Sequence, residues 1–245
     1  MSDPVGSGMA ADTVADAFAD VGVVIVAAGS GTRTASSELK QFRWIAGKPM
    51  LLHSVQAFQA RADVAMVVAV LPRAYAGDPP PWIFQSDLDR LLISVGGRER
   101  GESVYNGLED LPPEVRIVVV HDAARPLVPD SVIDSVISVA RTGSVAIAAM
   151  PVTDTLKRVG DDGRVVETVE RHGLWRAQTP QAFPRDVIDD VHRRARLDQV
   201  TATDDAGLCE RYGVPVVVVR GSERAMKITT ETDFSRAEAL SILSE

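Results

Sequence analysis

The sequence predicts an α/β protein, a Rossmann-like doubly wound and mostly parallel sheet with a protruding β-hairpin arm. Three observations carry this. Apolar runs without alternation recur along the chain, as strands covered on both faces require. Segments with apolar residues at helical spacing separate several of them. One polar stretch breaks the pattern with two short β-like runs around a Gly/Asp turn.

Taken in order, residues 1 to about 20 are rich in Ala, Asp, Gly and Ser and read as a tail without a hydrophobic period. A single domain is expected over 21–245. It opens with the run 22–28, which ends in glycines as a strand-to-helix turn does. Further strand runs lie at 64–70, 91–95, 116–120, 144–150 and 214–219, and helical spacing marks 49–60, 100–110, 130–141, 185–196 and 203–212. The arm occupies about 152–176, turning at Gly160-Asp161-Asp162-Gly163. Its polar composition offers little to a core, so it is expected to embrace a partner subunit.

At 245 residues with 45% hydrophobic and 24% charged residues, the chain can bury a sizeable core. Only 5% of residues are aromatic, too few for an oligonucleotide-stacking surface. The formal charge of -8 repels polyanions, so neither a nucleic acid nor an anionic membrane is an expected partner. A small anionic substrate then needs a local cluster of Lys and Arg. Cys209 is the single cysteine, which excludes an intrachain disulfide and zinc spacing; within a helix-like stretch it reads as a buried, inert thiol. No basic region followed by an apolar run opens the chain, and no stretch approaches membrane-span length, so a cytoplasmic location is expected.

In open α/β sheets, ligands sit beyond the carboxyl ends of the strands. Polar, glycine-bearing or charged clusters follow four apolar runs, at 27–33, 96–103, 121–126 and 151–155. Four on one edge point to a single site. The first, Ala27-Ala28-Gly29-Ser30-Gly31-Thr32-Arg33, is a phosphate-cradle candidate, because glycines bring backbone N–H groups against an anion. It is neither the dinucleotide fingerprint, lacking the third glycine, nor a Walker A loop. Arg33 and Lys40 beside it suit a triphosphate. Other residues keep two readings each. Asp122 serves as a ribose or magnesium contact, or as a turn aspartate. Arg98 and Arg100 belong to the site or to a solvated helix start. Ser103 faces the site or water, and Lys227 returns to the same edge or is an ordinary surface lysine. His121 reads as a packing residue.

Together these pieces resemble the 2-C-methyl-D-erythritol 4-phosphate cytidylyltransferases of the non-mevalonate isoprenoid pathway. The matching order is 27–33, Leu39-Lys40-Gln41-Phe42, Gly47-Lys48-Pro49 with His53-Ser54-Val55, and Gly96-Gly97-Arg98-Glu99-Arg100 with Ser103-Val104. It continues through His121-Asp122-Ala123-Ala124-Arg125-Pro126, Pro151-Val152-Thr153-Asp154-Thr155-Leu156-Lys157, Gln178-Thr179-Pro180-Gln181-Ala182-Phe183, Thr203-Asp204-Asp205-Ala206 and Lys227-Ile228-Thr229. Any one motif is common; nine in the family's order are not.

The resemblance implies CMP transfer from CTP to methylerythritol phosphate, with Mg²⁺ held mainly by the CTP phosphates and Asp122 as a candidate ligand. It implies that Ala27, Ala28, Gly29, Ser30 and Gly31 line the nucleotide, and that Arg33 and Lys40 meet the charge developing in transfer. Gly97 and Ser103 would contact cytosine, Asp122 would lie between the two substrates, and Lys227 would approach the α-phosphate. Thr155 and Arg171 on the arm, with Thr179 and Thr203 on the core, would hold the acceptor. In this family the arm reaches into the neighbouring subunit's site, which implies a homodimer. Leu39, Phe42 and Thr34 stand where the family usually has Pro, Tyr and Met. None removes a charge, though losing Pro should leave the Lys40 loop less restrained. The nearest rival, a ribitol-5-phosphate cytidylyltransferase, is disfavoured by the arm stretch Glu170-Arg171-His172-Gly173-Leu174-Trp175.

Overall fold

The computed structural model describes residues 19–29 and 39–243. Eleven strands are present among them: β1 (Val21–Val26), β2 (Trp44–Ile45), β3 (Lys48–Pro49), β4 (Val64–Leu71), β5 (Leu91–Val95), β6 (Ile117–Asp122), β7 (Val145–Pro151), β8 (Leu156–Val159), β9 (Val165–Val169), β10 (Trp175–Pro184) and β11 (Val216–Arg220). The helices are α1 (Met50–Gln59), α2 (Arg73–Ala76), α3 (Arg100–Glu109), α4 (Asp130–Ala140), α5 (Arg185–Leu197), α6 (Asp205–Arg211) and α7 (Glu231–Ile242). The expected strands and helices are thus present, with ends shifted by a residue or two. The tail expected over 1–20 lies outside the described residues except for Ala19 and Asp20.

Seven strands form one sheet in the order β11-β7-β10-β6-β1-β4-β5. All neighbours run parallel except β10, which pairs antiparallel with both β6 and β7. Side chains alternate across each strand. Val21, Val23 and Ile25 of β1 therefore join a core with Leu51, Val55 and Phe58 of α1 and with Val132, Ile133, Val136 and Ile137 of α4. Val24, Val68, Val118 and Val120 join the opposite core with α3, α5 and α6. Burial on both faces is why these strands read as unbroken apolar runs. Helix α3 comes close to the sheet at Gly107, where an added Cβ would lie 2.6 Å from Val24 Cγ1.

The strand order reverses beside β1. From it the chain proceeds to β4 and β5 on one side and later returns to β6 on the other. That reversal leaves a crevice at the carboxyl ends of β1 and β6, the expected ligand position.

Strands β8 and β9 pair only with each other and form the expected arm, with Gly163 N–H donating to the Gly160 carbonyl at its turn. Besides the short β2, β3 and α2, two longer elements are additions to the sequence reading. Strand β10 lies in the middle of the sheet, and α7 packs through Phe234 and Ala237 against Ile45 of β2 and Met50 at the start of α1. A reciprocal cap between Thr230 and Asp233 starts α7.

Candidate active site

A cavity of about 490 Å³ opens at the switch point, lined by 27–29, Lys40, Gln41, 97–100, Ser103, 122–124, Lys227 and Thr229. Three of the four predicted strand-end clusters therefore meet in one place. The fourth, 151–155, belongs to the arm and lies elsewhere.

The loop after β1 is held by a residue the sequence reading passed over. Buried Gln41 donates through Nε2 to the carbonyls of Ala27, at 2.6 Å, and Gly29, at 3.1 Å. With those carbonyls turned towards Gln41, the segment 27–29 is held in place at the end of β1. Gln41 sits in a short 3-10 turn, Lys40–Phe42, which Phe42 anchors edge-on to Tyr75 and Trp82. Phe42 thus fills its site as a buried ring. Lys40 Nζ donates to the Ile228 carbonyl at 2.7 Å, which ties this turn to the segment carrying Lys227. Ser30, Gly31 and Arg33 lie outside the described residues.

The second wall is the loop between β5 and α3. An added Cβ on Gly96 would stand 2.2 Å from Ala28 Cβ, so only glycine lets this loop close on the first. Ser103 does not face water. It is buried, and its hydroxyl accepts from Gly97 N–H at 3.1 Å and donates to the Glu99 carbonyl at 3.0 Å. This bond stiffens the Gly97 backbone where it borders the cavity. Arg100 is likewise no solvated helix start, whereas Arg98 is exposed.

The third wall is a charge cluster. Asp122 Oδ2 accepts from Lys227 Nζ at 2.8 Å, and its two oxygens lie 3.6 and 3.7 Å from Nε of Arg100 and of Arg125. Burial pushes the Asp122 carboxyl upwards, but Lys227, Arg100 and Arg125 together overcome this and hold it well below the usual range. Asp122 is therefore an anion at neutral pH. Lys227 is held at the cavity edge with its side chain part-exposed, so it is no ordinary surface lysine.

Behind the cluster, His121 is fully buried, and burial pushes its pKa down to about 4, so the ring is neutral. Its Nε2 lies 3.1 Å from the Arg125 carbonyl and Nδ1 lies 3.2 Å from the Thr179 hydroxyl. A ring protonated on Nε2 satisfies both, donating to the carbonyl and accepting from the hydroxyl. The Thr179 oxygen also accepts from Asp122 N–H at 2.9 Å. Thr179 is thus buried behind the cavity. Its hydroxyl is spent inside the protein, where it fixes the Asp122 backbone, and it does not line the cavity.

Thr155, Arg171 and Thr203 are exposed and line none of this cavity; Arg171 donates to the Thr153 carbonyl within the arm. Cys209 is buried, and burial with nearby carboxylates pushes its thiol up to about 12, as an inert thiol requires. Sequence reasoning left Arg100 open and missed Arg125, Gln41 and Asp205 as parts of the site. Each lies inside a motif already singled out, where the most familiar residue drew the assignment.

The fit to magnesium can be judged from the donors present. Among the described residues no group of three or more His, Cys, Asp or Glu side chains could hold a metal ion. Asp122 lines the cavity with its oxygens already facing three cations. That set fits an ion carried mainly by substrate phosphates with at most one or two protein carboxylates, a usual mode for Mg²⁺.

The family model of 2-C-methyl-D-erythritol 4-phosphate cytidylyltransferase matches residues 21–243. An enzyme of that name from Pelotomaculum thermopropionicum is 43% identical over 226 residues, covering 90% of this chain and 93% of the relative. The one from Streptomyces coelicolor is 42% identical over 227 residues, covering 89% and 83%. The crystal structure of the Thermus thermophilus enzyme of that name superposes with a TM-score of 0.77 at 33% identity, covering 91% of this chain and all of the other.

Proposed function

The chain belongs to the 2-C-methyl-D-erythritol 4-phosphate cytidylyltransferase family, and on that premise we propose how its switch-point cavity carries out the reaction. The enzyme is a nucleotidyltransferase that moves CMP from CTP to 2-C-methyl-D-erythritol 4-phosphate, giving 4-diphosphocytidyl-2-C-methyl-D-erythritol and pyrophosphate. The observation that carries the assignment of the site is the meeting of Lys40, the Gly97–Ser103 bond and the Asp122–Lys227 pair around one cavity.

In this reading, cytosine lies against the Gly97 backbone that Ser103 stiffens, and its phosphates lie along Ala27, Ala28, Gly29, Ser30 and Gly31. Lys40 and Arg33 face the β- and γ-phosphates, and Lys227 faces the α-phosphate. An oxygen of the acceptor phosphate attacks the α-phosphorus in line. The new P–O bond forms as the bond to the β-phosphate oxygen breaks, and pyrophosphate leaves with that electron pair. The nucleophile is already anionic at neutral pH, so no strong general base is needed, in keeping with a buried neutral His121. The main tasks are to align two anions and neutralise their charge. Mg²⁺, held mainly by the CTP phosphates with Asp122 as the candidate protein ligand, would supply further charge neutralisation.

The acceptor side requires a second copy of the chain. Thr155 and Arg171 line none of their own cavity, and Val159, Val165 and Val166 expose apolar surface on the arm. We therefore assign Thr155 and Arg171 to the acceptor phosphate bound in a partner's cavity, beside that partner's own core loop at Thr203, within a two-fold homodimer. Thr179 acts behind the site. No described helix is long and apolar enough to cross a membrane, and a cytoplasmic location is part of the proposal.

Pyrophosphate release tests this reading, with CTP, Mg²⁺ and either methylerythritol 4-phosphate or ribitol 5-phosphate in parallel. Release with the first alone is expected; release only with the second would transfer the acceptor assignment to the ribitol enzymes.

A further inference from the structure

Three cations face Asp122, but only one of them hydrogen-bonds to it. Lys227 donates at 2.8 Å, whereas Arg100 and Arg125 stop at 3.6 and 3.7 Å. A buried guanidinium normally closes on a carboxylate at about 2.8 Å in a forked pair. Something holds each of these two back. For Arg125 it is the backbone, since Nη1 donates to the Ala225 carbonyl at 2.7 Å and Nη2 to the Ala177 carbonyl at 3.4 Å.

For Arg100 it is a second carboxylate. Nη1 donates to Asp205 Oδ2 at 2.7 Å, and Asp205 Oδ1 is bonded to His192 Nε2 at 2.9 Å. Asp205 is only 1% exposed, so it is fixed from both sides by α3 and α5. Its neighbour Asp204 is fixed too, accepting from Gln181 Nε2 at 2.8 Å on β10. Meanwhile the buried donors Arg100 Nη2 and Arg125 Nε have no hydrogen-bond partner. The guanidinium of Arg100 is thus short of acceptors and would close on Asp122 if released.

We propose that Arg100 and Asp205 are positioning residues for the transfer reaction: Asp205 holds Arg100 off Asp122, and so leaves that carboxylate to orient Lys227. The proposal rests on the assignment of Lys227 to the reacting phosphate made above. Without the Asp205 charge, Arg100 takes up Asp122 at the expense of Lys227, which then turns to solvent. The cytosine wall is untouched, because Gly97 and Ser103 are held by their own bond. Turnover therefore falls while CTP binding survives.

Asp205→Asn and Arg100→Lys are each made in the native chain and in a Lys227→Met background. Initial rates of pyrophosphate release are measured against CTP and methylerythritol 4-phosphate, with CTP affinity measured by calorimetry. In the native background Asp205→Asn should lower kcat about 10-fold or more, with CTP affinity within about 3-fold, and in the Lys227→Met background it should change the residual rate by less than about 2-fold. A merely structural residue would cost the same factor in both backgrounds, and that result overturns the proposal. So does a native-background kcat within about 2-fold of the parent. Arg100→Lys keeps the charge but cannot fork between two carboxylates; it should follow the same pattern, and it decides the matter where Asp205→Asn fails to fold. A parent enzyme that releases no pyrophosphate with either acceptor would instead sink the functional reading itself.

Discussion

Replacing Asp122 with Asn keeps the volume of the side chain and removes one buried charge. The Asp122 backbone is tied to the Thr179 hydroxyl, so the new side chain starts from the same place and the effect is mainly electrostatic. It leaves Lys227, Arg100 and Arg125 without the anion they share. Breaking a buried ion pair by removing one partner typically costs about 3–5 kcal/mol. Here the cost belongs at the lower end, about 3 kcal/mol, because each cation has a fallback. Arg100 keeps Asp205 and Arg125 keeps the Ala225 carbonyl, while Lys227, with 42% of its side chain exposed, can turn to water. On the proposed role of Lys227 at the α-phosphate, activity should suffer more, because the same motion takes its ammonium out of the cavity; loss of one preorganised donor lowers turnover about 10²-fold. Urea unfolding and pyrophosphate release measure the two effects on one preparation. A stability loss below about 1 kcal/mol would show that the carboxylate does not bind the cluster together. Turnover within about 3-fold of the parent would show that Lys227 needs no anchor.

Lys40→Ala should lower turnover by about 10²-fold or more, and near-normal turnover would remove Lys40 from the reaction. Arg171→Ala should raise the KM for methylerythritol phosphate and leave CTP affinity unchanged; loss of CTP affinity would put Arg171 on the wrong substrate. The third expectation concerns acid stability. His121 titrates at about 4 when folded because burial disfavours its charge, against about 6.5 unfolded. The unfolded chain therefore takes up a proton first. The neutral ring's contribution is complete above about pH 6.5 and is lost progressively as pH falls towards 4, to a total of about 3 kcal/mol. Urea midpoints between pH 7 and 4 should fall less in His121→Gln than in the parent, and equal slopes would contradict a buried neutral ring.

The parallel strands were legible because their physics is local. A strand covered on both faces must be apolar at every position, and β1, β4, β6 and β7 are largely so. Strand β10 was not legible, although it is the only strand between β6 and β7. Its sequence, Trp175-Arg-Ala-Gln-Thr-Pro-Gln-Ala-Phe-Pro184, carries prolines and polar residues that argue against a central strand. The register on β7 shifts between Ala177 and Gln181, so Pro180 falls in an irregularity where no ladder N–H is required. Beyond the exposed Arg176, the polar side chains are buried. Gln178 bonds the backbone at Ser222, Thr179 holds Asp122, and Gln181 holds Asp204 and the Ala206 N–H. These partners lie 23 to 57 residues away in the chain, and no periodicity signals them.

The site divides along the same line. Gly29, Lys40 and Lys227 could be singled out from sequence because those residue types suit a phosphate wherever the fold puts them, and the structure brings them to one cavity. Arg100 and Ser103 were ambiguous because an arginine or serine at a helix start is usually exposed. What buries them is the approach of two loops that only Gly96 permits, and the arrival of Asp205 from a helix about a hundred residues later. Thr179 went the opposite way: the resemblance placed it on substrate, and the hydrogen bonds place it behind Asp122. A motif match therefore marks a residue as belonging to the site without saying which side of the wall it stands on. For the charged cluster that side decides the chemistry. Groups on the cavity side, Lys40 and Lys227, must stay available to substrate, and the polar groups behind them must be satisfied within the protein so that they do not compete.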